Sequence, residues 1–479
     1  MSALGNILLL AYILNFILII FVIFFQRRDP VVSMAWVMCF ILFPVAGMAI
    51  FLIFGQGIKN HTKRVYYEKL LKGEEMTKRL HRQQSFLDKA ETKQVPDLDL
   101  VRYFLKYNFL YTEKNSVDIF TDASEKYESM IKDIENAKKS VNILYFIIRD
   151  DEIGNKIMDA LVKKANEGVT VRFIYDTIGC LTTNRSFLKK LNKTKCGKAV
   201  SFFPVSVFTL SKVNHRNHRK ICVIDEEIAY LGGMNIGDEY MGKKKLSPWR
   251  DTHIRVTGES VKLVYKYFCL DWDFSTKDNL SDSLDEIFSK EYDTKNLDTI
   301  PMQIAVSGPD SPADEIKSGM IKMLNNARCY AYIQTPYFVP DAAFLEALIM
   351  AADSGVDVRL MLPGIPDKPY VYYTGFSYLD AVLKAGVKVY LYNGFIHSKT
   401  IVTDDKIATI GTTNIDIRSF QLHFELNAFF YSGKIAKKCR EIFLNDIPDT
   451  RELTIEDYNN RPKSSRFKEG LFRLFSPLM

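Results

Sequence analysis

A chain of 479 residues is too long for one ordinary compact core, so two domains or one duplicated domain is the expectation. The seven cysteines are dispersed, with no C-x-x-C spacing, which argues against a disulfide framework or a zinc knuckle and for reduced, mostly buried thiols. A net charge of +7, carried by clustered Lys and Arg, suits nucleic acid or an anionic membrane without choosing between them.

Residues 1–57 stand apart. Leu4 to Phe25 and Val31 to Phe54 carry no charge, and only Gln26-Arg27-Arg28-Asp29-Pro30 separates them. At 1.5 Å per residue each run reaches about 30 Å, enough to cross a hydrocarbon core. A signal peptide would need a basic start and a small-residue cleavage site, and no second apolar run would follow at once. Two buried helices of a soluble core would seldom stay apolar for so long. The pattern predicts a two-helix membrane hairpin, spanning or deeply re-entrant. Lys59, Lys63, Arg64, Lys69, Lys72, Lys78, Arg79 and Arg82 follow it and outnumber Arg27 and Arg28. The positive-inside rule then predicts a multi-pass cell-membrane protein with everything after residue 55 in the cytoplasm.

A basic helical linker is expected over 58–112, with His61 and His81 solvated in it. The remainder is duplicated. Asn136-Ala137-Lys138-Lys139 precedes a β-rich run from Val141 to Ile148, and Asn326-Ala327-Arg328 precedes Cys329 to Tyr337. Each is followed by an amphipathic helix and then by Gly168-Val169-Thr170-Val171-Arg172-Phe173 or Gly355-Val356-Asp357-Val358-Arg359-Leu360. Helix, glycine stop and buried strand form β-α-β grammar, predicting an α/β fold of mostly parallel sheets flanked by helices. Two lobes follow, over 113–280 and 301–460, joined by an acidic linker over 281–300. A basic tail over 461–479 contains Arg466-Phe467-Lys468-Glu469-Gly470-Leu471-Phe472-Arg473-Leu474-Phe475. Its pattern fits either a helix on an anionic bilayer or one packed on the catalytic part.

The repeat carries a chemical signature. His218-Arg219-Lys220-Ile221-Cys222-Val223-Ile224-Asp225 and His397-Ser398-Lys399-Thr400-Ile401-Val402-Thr403-Asp404 both read H-x-K-x-x-x-x-D. Gly232-Gly233-Met234-Asn235 follows the first and Gly411-Thr412-Thr413-Asn414 the second, at the same spacing. One such motif is a weak signal, since a strand with alternating polar residues gives the same string. Two copies in register, each with its glycine turn and Asn, are a strong one. On a strand, His and Lys at i and i+2 share a face, so both can meet one phosphate.

These motifs resemble those of the phospholipase D superfamily from about residue 113 to 450. The likeness to its bacterial cardiolipin synthases is closer, through Asn214-His215-Arg216-Asn217-His218-Arg219-Lys220, Trp249-Arg250-Asp251-Thr252-His253, Thr335-Pro336-Tyr337-Phe338-Val339-Pro340-Asp341 and Asn414-Ile415-Asp416-Ile417-Arg418-Ser419-Phe420. The hairpin, with Arg28-Asp29-Pro30, Trp36, Pro44, Gly47 and Phe54-Gly55, is similar to that family's membrane segment. His423 stands where an Asn is expected, and Cys180 where a Ser is common.

The resemblance implies two lobes about a pseudo-two-fold axis, both histidines in one cleft, and phosphatidyl transfer between two phosphatidylglycerol molecules giving cardiolipin and glycerol. It assigns His218 as nucleophile and His397 as general acid, although the residues alone leave the opposite assignment open. Lys220, Lys399, Asn235 and Asn414 would hold the phosphate oxygens. Asp251 and Glu425 are candidates to orient the imidazoles. Asp225 and Asp404 complete the catalytic signature, with a bracing role the alternative. No cofactor and no metal are expected. His215 and His218 form an H-x-x-H, but Arg216, Arg219 and Lys220 crowd it and no carboxylate is near in sequence. The expected partners are phosphatidylglycerol, cardiolipin and an anionic bilayer, with no nucleic acid. The rival readings are a phospholipase D-type hydrolase or nuclease, a phosphatidylserine-forming transferase, and a non-catalytic membrane scaffold.

Overall fold

The computed structural model describes residues 3–26, 30–55, 74–89, 97–203, 214–243, 248–290, 295–474 and 476. Arg27, Arg28, Lys59, His61, Lys63, Arg64, Lys69, Lys72 and Phe475 lie outside the described residues.

The first apolar run is a helix over Ala3–Phe24. The second is not one helix but two, Pro30–Leu42 and Pro44–Phe54. Pro44 has no N–H to give the carbonyl of Phe40, so the helical ladder ends there. The amide of Asn15, buried in the first helix, donates instead to Phe40 O at 3.0 Å and to Pro44 O at 2.8 Å. Trp36 and Phe40 each pack edge-on against Phe51 at 5.1 Å, closing the three helices into a unit. At 13 and 11 residues the broken halves are each too short to span a bilayer alone. Among the described residues, no helix is long and apolar enough to cross a membrane.

The rest is built on one 15-stranded sheet. Across it, the first lobe runs Gly197–Phe202, Thr170–Asp176, Ser140–Tyr145, Ile221–Ile224, Ile228–Gly232, His253–Gly258 and Tyr111–Phe120. The second continues with Thr299–Ser307, Glu425–Phe430, Ile407–Gly411, Thr400–Thr403, Tyr330–Gln334, Asp357–Pro363, Lys388–Tyr392 and Thr450–Leu453. The two orders mirror each other about the antiparallel pair Tyr111–Phe120 and Thr299–Ser307. The fold is α/β, but its sheet is mixed rather than mostly parallel. Only the βαβ part of each lobe pairs in parallel, as in Ser140–Tyr145 with Thr170–Asp176 and Tyr330–Gln334 with Asp357–Pro363. The motif strands return by tight turns at Asp225 and Asp404, so they and their neighbours are antiparallel.

Gly168 and Gly355 end the helices Glu152–Asn166 and Ala342–Asp353 with φ of 98° and 86°, a conformation that only glycine adopts without strain. The helix Ser260–Ser275 is buried over nearly its whole length, charged residues included, against strands of both lobes. The seven cysteines are free; four are buried, and Cys196 and Cys329 are exposed.

Candidate active site

Each motif enters its strand from an extended segment that the other lobe holds. His218 N–H donates to Phe424 O at 2.9 Å, and His397 N–H donates to Arg250 O at 2.6 Å. The next residue in each partner segment is an acid. Glu425 meets His218 Nδ1 at 3.0 and 3.1 Å, and Asp251 Oδ2 meets His397 Nδ1 at 2.6 Å. One dipeptide, Phe424-Glu425 or Arg250-Asp251, therefore fixes both the backbone and the ring of the histidine across from it. With Nδ1–H given to a carboxylate, Nε2 is left with its lone pair.

The acids are themselves held. Asp251 Oδ1 accepts from Thr252 N–H at 2.7 Å, and Glu425 Oε2 accepts from the Thr412 hydroxyl at 2.5 Å. Gly233 lies against Asp251, where a Cβ would fall 2.1 Å from Oδ1; any side chain there would displace the acid. Lys220 and Lys399 each turn the ammonium back onto the carbonyl of their own histidine, at 2.5 Å for Lys220. Arg219, between His218 and Lys220, points to the opposite side and pairs with buried Asp271 at 2.7 Å.

The centre is almost dry, and this sets its protonation. Burial, then the nearby Lys399 ammonium, lowers His397 to about 4 against the pull of Asp251. His218 is pushed well down by burial and by Lys220. Burial also brings Lys220 to about 7 and Lys399 to about 8, and raises Glu425 to about 8. Each motif's lysine bears on the other motif's histidine, so the four groups form one electrostatic unit. A phosphodiester anion entering it would raise both lysines and both imidazoles, charging the site as it fills.

The two imidazoles have different surroundings. His397 lies among Trp249, Phe395 and Tyr240, at 5.5, 5.9 and 6.0 Å between ring centres. His218 lies between Phe146 at 5.1 Å and His423 at 5.7 Å. Of this aromatic wall, only Trp249 belongs to a motif legible in the sequence. Cys180 is buried with its thiol on Phe146 O, which keeps that loop beside His218.

Asn235 accepts from Ile147 N–H at 3.1 Å and donates to the Tyr240 hydroxyl at 2.6 Å. Asn414 is buried, and its Oδ1 has no partner among the described residues. Asp225 and Asp404 are not at the centre. They lie past the far ends of the strands Ile221–Ile224 and Thr400–Thr403, at φ of 53° and 55°. Asp225 accepts three backbone N–H groups from Lys138, Lys139 and Ser140 at 2.7, 2.7 and 2.9 Å. Asp404 does the same for Arg328, Cys329 and Tyr330 at 2.7, 2.8 and 2.9 Å. Of the two readings the sequence allowed for these aspartates, this is the brace.

The charge argument over the H-x-x-H also changes. Arg219 is spent on Asp271, Arg216 lies 3.6 Å from Asp176, and the fold brings in a carboxylate that is distant in sequence. Among the described residues His218, His423 and Glu425 place possible ligand atoms within 4.8 Å of one another. A divalent ion there would have to break the His218–Glu425 hydrogen bond.

Residues 130–265 and 320–447 match the family described as cardiolipin synthase, PLD-like domain. The chain belongs to that family. Residues 13–56 match the phospholipase D-nuclease N-terminal family. A cardiolipin synthase of Oceanobacillus iheyensis is 42% identical over 98% of both chains. The major cardiolipin synthase ClsA of Bacillus subtilis is 42% identical over the whole of both. In three dimensions, the phosphatidylserine synthase of Haemophilus influenzae superposes on 79% of this chain and 98% of its own, with a TM-score of 0.59 at 16% identity. That likeness is one of fold.

Proposed function

We propose that this family member is a cardiolipin-forming phosphatidyltransferase using a phosphohistidine intermediate. The observation that carries the reading is the reciprocal clamp: two buried imidazoles, each with Nδ1 fixed by an acid of the other lobe and each flanked by an ammonium. Nε2 of His218 attacks the phosphorus of one phosphatidylglycerol. The P–O bond to glycerol breaks, and His397, protonated on Nε2 once the anionic donor is bound, passes that proton to the departing oxygen. His397 then takes the proton of a second phosphatidylglycerol's head-group hydroxyl, whose oxygen attacks phosphorus and releases His218. Lys220 and Lys399, with Asn235 and Asn414, offset the charge on the non-bridging oxygens.

The division into lobes over 113–280 and 301–460 belongs to the same reading. So does membrane seating of the N-terminal helices, whose outward side chains, among them Leu9, Ile13, Phe16, Phe24 and Leu42, are apolar and exposed. A multi-pass hairpin with the lobes in the cytoplasm is the arrangement proposed, placing the cleft at a leaflet rich in anionic lipid. The test is purified full-length protein with labelled phosphatidylglycerol as sole lipid. Cardiolipin and glycerol are expected, with added glycerol driving the reaction back. Phosphatidic acid and glycerol without cardiolipin at any lipid density would make the protein a hydrolase.

A further inference from the structure

The helix Lys463–Arg473 buries a charged residue against the protein and leaves an apolar stripe outside. On its inner face, buried Glu469 pairs with Arg461 at 2.6 Å and Phe472 stacks on Tyr373 at 6.2 Å. One turn on, Ser476 meets the Tyr378 hydroxyl at 3.1 Å. On the other side Phe467, Leu471 and Leu474 are 72, 45 and 71% exposed. At 3.6 residues per turn these three fall within about 60° of one another, roughly opposite Glu469. Lys468 lies on one flank of the stripe, and Arg466 and Arg473 on the other. Lys468 and Arg473 lean along the helix sides over Tyr373 and Tyr378, at 5.2 and 4.8 Å. A soluble surface helix turns its charge outward. Here an apolar stripe faces outward between cationic flanks, the arrangement of a helix lying at a lipid–water interface.

We propose that this face is a second membrane contact, and that its partner is the anionic surface of the bilayer holding the N-terminal helices. The proposal rests on the reading above that the substrate is a membrane lipid. Its position fits that use. The helix packs on Pro369–Phe376, and Val371, Tyr372 and Phe376 of that helix line an apolar groove together with Tyr337 and Phe395. Phe395 stacks on His397. A bilayer against Phe467, Leu471 and Leu474 would lie beside an apolar pocket, one of whose lining residues, Phe395, touches the ring of His397.

The test uses full-length protein in lipid nanodiscs, with Cys196 and Cys329 replaced by Ser and an environment-sensitive dye on Leu471→Cys. With phosphatidylglycerol present, chain-brominated lipid should quench the dye at least about twofold more than it does in phosphatidylcholine alone, and aqueous iodide should quench it less. The triple variant Phe467→Ser, Leu471→Ser, Leu474→Ser should raise the phosphatidylglycerol fraction needed for half-maximal rate several-fold. Its Tm and its rate on a short-chain, monomerically dispersed donor should be unchanged. Dye that stays open to iodide and blind to brominated chains overturns the proposal, as does a triple variant with unaltered lipid dependence. Loss of self-association in that variant with its lipid dependence unaltered would make the face a contact between copies and overturn it too. Dye depth is read without turnover, so it holds or fails independently of which product the enzyme makes.

Discussion

The two motif halves are braced by corresponding hydrogen bonds of nearly equal length and differ in what surrounds the imidazole. Both aspartate braces make three backbone contacts at nearly equal lengths, and both histidines donate their backbone N–H across the lobe boundary. Yet one ring has a glutamate with two oxygens in reach and a histidine beside it, and the other a single aspartate oxygen and an aromatic wall. Duplication supplied the geometry. The different acids and walls give the two rings different proton environments, which suits a reaction that uses one ring as nucleophile and the other as acid.

Removing the histidines strains that comparison most. His218→Ala should abolish both turnover and covalent labelling by lipid phosphate, with Tm preserved. His397→Gln should cost roughly 10²- to 10⁴-fold on natural substrate, the usual range for a general acid. A donor with a good leaving group should recover much of that loss for His397→Gln and none of it for His218→Ala. Equal rescue of both would erase the distinction.

The acids come next, and they should not be equivalent. Asp251 has one oxygen on a ring nitrogen and the other on a backbone N–H, so Asp251→Asn keeps its oxygen on the obligate backbone donor only by turning its amide NH₂ to His397 Nδ1, which sends the ring proton to Nε2, the wrong tautomer for taking a proton. Glu425 faces a hydroxyl instead, and Thr412 can turn its proton to Leu426 O and accept from Gln. In kcat, Asp251→Asn should therefore lose about 10³- to 10⁴-fold, near the scale known for a misoriented catalytic imidazole. Glu425→Gln should lose only about 10- to 100-fold by the same argument. The reverse order would show that charge on Glu425, not its geometry, is what His218 uses.

A smaller effect separates the lysines. Both are lowered in the empty site, so their charge is present below about 7 for Lys220 and about 8 for Lys399 and is lost as pH rises through those values. kcat/KM, which reports the free enzyme, should fall above pH 7 in two steps, while kcat falls less because bound phosphate restores the protons. Lys220→Arg, permanently charged, should remove the lower step alone.

The braces should differ least. Asn tolerates positive φ, so Asp225→Asn and Asp404→Asn remove mainly the charged acceptor, each costing about 1–3 kcal/mol in unfolding experiments with kcat nearly intact. Exhaustive chelation should change nothing. A loss restored by one divalent ion alone would put a metal between His218, His423 and Glu425.

Much of this centre was legible because register is a one-dimensional property. The equal spacing from His218 to His397 and from Lys220 to Lys399 names the side chains that the sheet gathers. The period of two also explains why Arg219 turns away to Asp271. What was not legible depends on contacts across the lobes. Nothing in the spacing says that Glu425 serves the histidine of the first motif and Asp251 that of the second, because the Phe424 and Arg250 contacts exist only once the sheet closes. The mixed sheet was missed for a local reason: Asp225-Glu226 and Asp404-Asp405 sit at positive φ in hairpin turns, which a β-α-β reading passes over. The break at Pro44 was readable, since proline inside an apolar helix removes a donor.

The antiparallel pairing of Tyr111–Phe120 with Thr299–Ser307 has a bearing on descent. It joins two mirror-ordered half-sheets edge to edge, and every clamp at the centre runs from one half to the other. Two copies of a single ancestral lobe, docked by that same edge, would have given each other identical acids and been active only as a pair. Fusion into one chain would release such copies from being identical. Asp251 and Glu425, and the rings they hold, could then be selected separately.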